Sequence, residues 1–154
     1  MRSYSKSISL SVNSRGIYSI DPSIGCYSGT KNGENKRGCY NDCYAARLSR
    51  IYGYDFSETV FRDFDSIGHL ERIKREIRKT PFPFIRMGTM GDPSENWEHT
   101  INICEKIQRK TQLSLFNEEP KEIVIVTKHF NKLSTKQLYF FYYNAEKIFN
   151  RKEG

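Results

Sequence analysis

No apolar run in this 154-residue chain approaches the roughly 20 residues that a membrane-spanning helix needs. The first sixteen residues carry Arg2 and Lys6 but no continuous apolar stretch, so they do not read as a secretory signal. Low-complexity tracts, internal repeats and a linker are also lacking, and a single domain is expected over residues 1–154. Histidine is scarce, and His69, His99 and His129 stand far apart without paired metal-ligand spacing. These absences argue against a membrane or repeat protein and for a cytoplasmic chain, where thiols stay reduced. The formal net charge is +7, which makes nucleic acid a candidate partner. There is, however, no block of about five like charges, and the joint richness in Lys, Asn, Ile and Tyr offers a purely compositional reading.

Alternating polar and apolar residues at 7–12 predict a half-buried strand, and residues 17–20 a second short one. Asp21-Pro22 then makes a turn into residues 27–38, where Gly29, Gly33 and Gly38 predict a loop. A helix is expected over residues 40–52, with Ala45, Ala46, Leu48, Ile51 and Tyr52 on its apolar side and Gly53 past its end. Another is expected over residues 66–79, where Leu70, Ile73 and Ile77 recur at helical spacing before Pro81. Residues 82–87 read as a buried strand leading into Gly88-Thr89-Met90-Gly91. A helix begins there, with Asp92 as N-cap, Pro93 at N1, Glu95 at N3 and an apolar face of Trp97, Ile101, Cys104 and Ile107. Residues 122–127 are the clearest strand. Ser134 and Gln137 then form a capping-box pattern before an amphipathic helix carrying Leu138, Phe141, Tyr142, Ala145, Ile148 and Phe149.

An N-terminal strand or arm (residues 1–16) followed by three βα units (residues 17–150) implies an α/β fold with a parallel sheet and right-handed crossovers. Ligands of such sheets bind beyond the C-terminal ends of the strands. The cysteine loop, the turn at residues 88–92 and Lys128-His129 are all expected at that edge.

Four cysteines in a reducing compartment suggest metal or redox chemistry rather than disulfides. Cys26, Cys39 and Cys43 have the spacing C-x12-C-x3-C, and Cys39 and Cys43 lie one helical turn apart if the helix starts early enough. Thiolates are soft ligands suited to zinc or to iron–sulfur clusters. Structural zinc closes a shell of four, with paired spacing, whereas three thiols without a clear fourth suit a cluster with one open iron. Ordinary buried cysteines are the plain alternative, and Cys104, on an apolar helix face, is expected in the core.

The run Cys39-Tyr40-Asn41-Asp42-Cys43-Tyr44-Ala45-Ala46-Arg47, with Cys26 upstream, resembles the cluster loop of radical S-adenosylmethionine (radical SAM) proteins, in particular small members from phages and mobile elements. The segment from Met87 to Glu95 is similar to the glycine-rich segment after the second strand of that family's barrel. The resemblance covers residues 17–149 and implies half of a partial (β/α)6 barrel. It implies a [4Fe–4S] cluster on Cys26, Cys39 and Cys43, with SAM on the open iron. One electron from the cluster would divide SAM into methionine and a 5′-deoxyadenosyl radical that abstracts hydrogen from an unknown substrate. It further implies SAM contacts from Gly88, Thr89, Met90, Gly91, Asp92 and Glu95, with Tyr44 or Tyr40 near the adenine. Half a barrel leaves an open sheet edge, so a homo- or hetero-oligomer is expected to cover it.

Each of these residues also has a structural reading. Gly88 and Gly91 serve either close ligand approach or a tight strand–helix turn. Asp92 and Glu95 serve either an ammonium group or the capping box. Lys128 and His129 serve either an anion or a solvated loop. Arg86, inside an apolar strand, calls for a partner, a carboxylate on a neighbouring element ahead of a ligand. Residues 139–143 are all aromatic, which suits a core face, a subunit interface or stacking on single-stranded nucleic acid. The alternative function is therefore a small basic module, stiffened by zinc or a cluster, that binds nucleic acid or a protein partner without catalysis.

Overall fold

The computed structural model describes residues 2–35, 38–109, 121–127 and 132–141. The chain opens with a hairpin of β1 (Leu10–Val12) and β2 (Tyr18–Ile20), whose turn is tied by Asn13: its Oδ1 accepts from the N–H groups of Arg15 and Ile17. A short strand β3 (Ser23–Ile24) follows, then α1 (Tyr27–Glu34), a 3-10 turn (Tyr40–Asp42), α2 (Tyr44–Tyr52) and β4 (Val60–Phe61), which pairs antiparallel with β3. Next come α3 (Ile67–Arg78), β5 (Phe84–Met87), a second 3-10 turn (Pro93–Asn96), α4 (Trp97–Gln108) and β6 (Glu122–Ile125). Residues 135–141 are helical.

The main sheet has the order β1-β2-β5-β6. β1 runs antiparallel to β2, while β2, β5 and β6 run parallel. This is a mixed α/β fold with a mostly parallel sheet. Register aligns Leu10, Ile20, Met87 and Ile125 across the four strands on one face. That face meets Ile73 and Ile77 of α3 and Ile103, Cys104 and Ile107 of α4 in the main core, where Ile20, Ile85 and Met87 are wholly buried. Burying each such side chain stabilises the fold by about 1.5–3 kcal/mol. β5 therefore alternates, with Ile85 and Met87 in the core and Phe84 and Arg86 half-buried on the other face.

Several helices start where small polar caps allow. Ser66 Oγ accepts from His69 N–H at the head of α3, and Ser134 and Gln137 exchange both bonds of a capping box. Gly53 ends α2 in the left-handed conformation. The expected apolar face of the last helix is seen only as far as residue 141: Phe140 packs on the core and Phe141 meets Trp97 edge-on, whereas Leu138 is half-exposed. Tyr142, Ala145, Ile148 and Phe149 lie outside the described residues.

Three expectations are corrected. Residues 27–34 form a helix rather than a loop, because Cys26 caps it and because Gly33 lets it pack on the following turn; a Cβ at Gly33 would lie 2.5 Å from the Tyr40 ring. The helix expected from residue 40 starts at Tyr44, because Cys43 is extended (φ −74°, ψ 117°), so Cys39 and Cys43 do not share one helical face. Its buried side is Ala45, Ala46 and Ser49, small residues that bring it close to Phe56, and Ile51 and Tyr52 face solvent. Finally, Asp92 caps the second 3-10 turn through Ser94 N–H, and Asn96, accepting from His99 N–H, caps α4 itself.

Candidate metal centre

The C-terminal ends of β2 and β5 are joined by Asp21. Its Oδ1 accepts from Gly88 N–H (3.1 Å) and Thr89 N–H (2.6 Å), and its Oδ2 from Thr89 Oγ1 (2.7 Å). A buried carboxylate with three donors locks the glycine turn to the neighbouring strand. Sequence reasoning placed Asp21 in a turn and missed this role; the signal was an acid one residue past a predicted strand, at the edge where the glycine turn was also expected.

The turn then meets the cysteine segment. Gly25 N–H donates to Met90 O at 3.0 Å, and Gly25 and Gly91 form a parallel bridge. Gly91 is required by this approach, since a Cβ there would lie 2.4 Å from Ser23 O. Gly88 has φ +98°, and a Cβ there would lie 2.3 Å from Val126 O. Both glycines thus admit neighbouring backbone, which favours the structural reading of these two positions. Asp92 is likewise engaged, with Oδ1 accepting from Ser94 N–H and from Thr127 Oγ1 at 2.6 Å.

Cys26 follows directly. It packs with Ala45, Ala46 and Phe56, and Tyr40, Cys43 and Met90 lie against the same cluster. Its Sγ accepts from Gly29 N–H at 3.2 Å and, as a thiol, donates to Glu95 Oε1 at 3.6 Å. The same Glu95 oxygen accepts from Ser28 N–H, so this carboxylate serves the first turn of α1 rather than closing a box on Asp92. Burial pushes the Cys26 thiol up to about 12, and Glu95 and Asp92 add to the shift, against the bond from Gly29. Cys43 is half-buried at the head of α2. Cys39, also half-buried, opens the 3-10 turn, with its carbonyl accepting from Asp42 N–H. Tyr40, rather than Tyr44, faces the cluster; Tyr44 is 60% exposed. Lys128 and His129 lie outside the described residues. Cys104 is in the main core, its Sγ 3.7 Å from Met87 Sδ, and burial pushes it up to about 12.

Among the described residues, no three His, Cys, Asp or Glu side chains stand close enough together to hold a metal ion. The donor chemistry nonetheless fits a thiolate-held centre. Two thiols share one cluster, and the third opens the short turn that ends at Cys43. On the metal-free chain at pH 8, iodoacetamide is expected to label Cys39 and Cys43 well before Cys26 and Cys104, because the buried pair is protonated and shielded. Peptide mass spectrometry over time reads the order, and early labelling of Cys26 would contradict the packing described. No protein-family model, curated protein or solved structure matches the chain, so the chemistry of this end of the fold rests on its own residues.

Proposed function

We propose that the chain is an iron–sulfur protein of radical SAM type, with a [4Fe–4S] cluster on Cys26, Cys39 and Cys43 and SAM beside the turn at residues 88–92. The carrying observation is that the cysteine segment meets this turn at the C-terminal ends of parallel strands, with Cys26, Cys43 and Met90 in one packed group. The sheet supports the reading as well. β2, β5 and β6 are neighbours in chain order, and both α3 and α4 cover the same face, as a singly wound partial barrel requires.

When bound, the cluster and SAM supply reductive cleavage of SAM to a radical that takes hydrogen from a substrate. The chain's own residues hold and order this site. Asp21 fixes the turn. Gly88 and Gly91 let three backbone segments close on one another. Glu95 sits against Cys26, so a thiolate there would place two negative groups in contact; a metal or the SAM ammonium group beside them relieves both. Tyr40 and Met90 offer the apolar wall that keeps water from such a centre.

Metal and sulfide content with an ultraviolet–visible spectrum, on protein reconstituted without oxygen, tests the proposal. The expected result is about four irons and four sulfides per chain, with broad absorption that bleaches on dithionite. One zinc and no iron would replace this reading with the basic binding module. That second reading has its own observation: α2 turns Tyr44, Arg47, Arg50, Ile51 and Tyr52 to solvent, a stripe of aromatic and cationic side chains suited to stacking on single-stranded nucleic acid. A steep fall of binding with salt would mark it.

A further inference from the structure

Arg86 stands on an inner strand of the sheet, without a counter-ion among the described residues. Register sets it in a row that crosses all four strands: Ser11, Ser19, Arg86 and Val124. This row lies on the face opposite the main core, and Val124 and Ser11 are exposed there. A half-buried guanidinium on a central strand ordinarily meets a carboxylate. Among the described residues, none pairs with Arg86. Register brings two acids near it: Asp21, two residues beyond Ser19, has both oxygens engaged by Gly88 and Thr89, and Glu122, two residues before Val124, has a partner of its own. The carboxylate partner expected for Arg86 from the sequence is therefore not found among these residues. What remains is a cation on the face opposite the main core, with Ser19 as its register partner on the neighbouring strand, two residues before Gly88. At about 3.3 Å per residue that is roughly 7 Å below the turn that meets the cysteine segment.

We propose that Arg86 is an oxyanion anchor, binding a carboxylate or phosphate of the substrate in bidentate fashion with Ser19 assisting. The inference rests on the radical reading for the fate of that substrate, though the anion site itself stands independently of it. A planar guanidinium matches both oxyanions, and its position on a rigid strand fixes the bound group within reach of the cysteine end. The net charge of +7 favours the approach of such a substrate.

The test uses the full chain, with arginine Nε–Hε resonances followed by NMR and iron content measured on the same sample. Arg86 is assigned by comparison with R86K. Inorganic phosphate and then acetate are titrated at constant ionic strength. The expected result is a saturable shift of Arg86 while exposed Arg50 drifts only in proportion to the anion. Response to phosphate alone assigns a phosphoryl-bearing substrate; response to both, or to acetate alone, admits carboxylates. In R86Q, read on the Ser19 amide, anion affinity is expected to fall about ten- to a hundredfold. An Arg86 response no larger than that of Arg50, or an R86Q titration equal to that of the parent, overturns the inference. Saturable binding to a chain that takes up no iron on reconstitution would uphold the anchor and remove the radical reading. Iron-replete protein without an Arg86 response would do the reverse.

Discussion

Asp21→Ala is expected to lower the unfolding free energy by on the order of 4 kcal/mol. The carboxylate is buried and accepts from two backbone N–H groups and one hydroxyl. Removing it deletes charge-assisted bonds and leaves the Gly88 and Thr89 N–H groups without an acceptor, and each such orphan costs about 1–3 kcal/mol. Against a total stability of about 5–15 kcal/mol this is a large share. Asp21→Asn separates the bonds from the bulk of the side chain. Its oxygen still accepts from both N–H groups, and the Thr89 hydroxyl can rotate to accept from the new amide. The loss there is expected to be about 1 kcal/mol. Urea unfolding at neutral pH gives both values, and equal losses in the two variants would show that Asp21 does not act as the acceptor described.

The contrast between Asp21 and the cysteines shows which parts of the site were legible in the sequence. Apolar periodicity located β5, β6 and α3, because each buries one side against a single core, and the face of α4 in part: Trp97, Cys104 and Ile107 are buried as expected, but Ile103 and Thr100 are buried where Ile101 is only half-buried. The rule that loops at strand ends share an edge anticipated that the Cys26 segment and the glycine turn would meet, as Gly25 and Met90 do. Tertiary pairs were not legible. Asp21 with Thr89 and Asp92 with Thr127 are polar contacts between residues 68 and 35 positions apart, and no periodic pattern announces them. The capping box at Asp92 matched a local pattern that lost to a nonlocal one. Glu95 was drawn to Ser28 N–H and Cys26, and Asn96 took over the cap of α4. The glycines of α1 misled for a related reason. They read as loop signals, yet they allow the close packing of Cys26 and Tyr40 on the helix, which outweighs their poor helix propensity. The two-residue ladder of β3 and β4 is too short to carry a pattern at all.

Serine substitution of the three candidate ligands is expected to have the largest effect on the chemistry. C26S, C39S and C43S should each take up at most a small fraction of the iron that the parent chain binds on reconstitution, and the triple variant none. A hydroxyl is a far poorer ligand than a thiolate for a soft centre, and no fourth cysteine stands ready to replace a lost one. C104S serves as the control and should keep its iron, because Cys104 is in the main core beside Met87 and away from the Cys26 group. Position 26 needs a second comparison, since its Sγ also caps α1 through Gly29 N–H. Serine is a good N-cap, whereas alanine removes the cap at a cost of about 1 kcal/mol. C26S should therefore lose iron at nearly parental stability in urea, while C26A loses both. If C26S held iron at the parental level, Cys26 would be a helix cap and core residue only. Loss of iron in C39S and C43S alone would then move the centre to the turn between these two residues, away from the glycine segment.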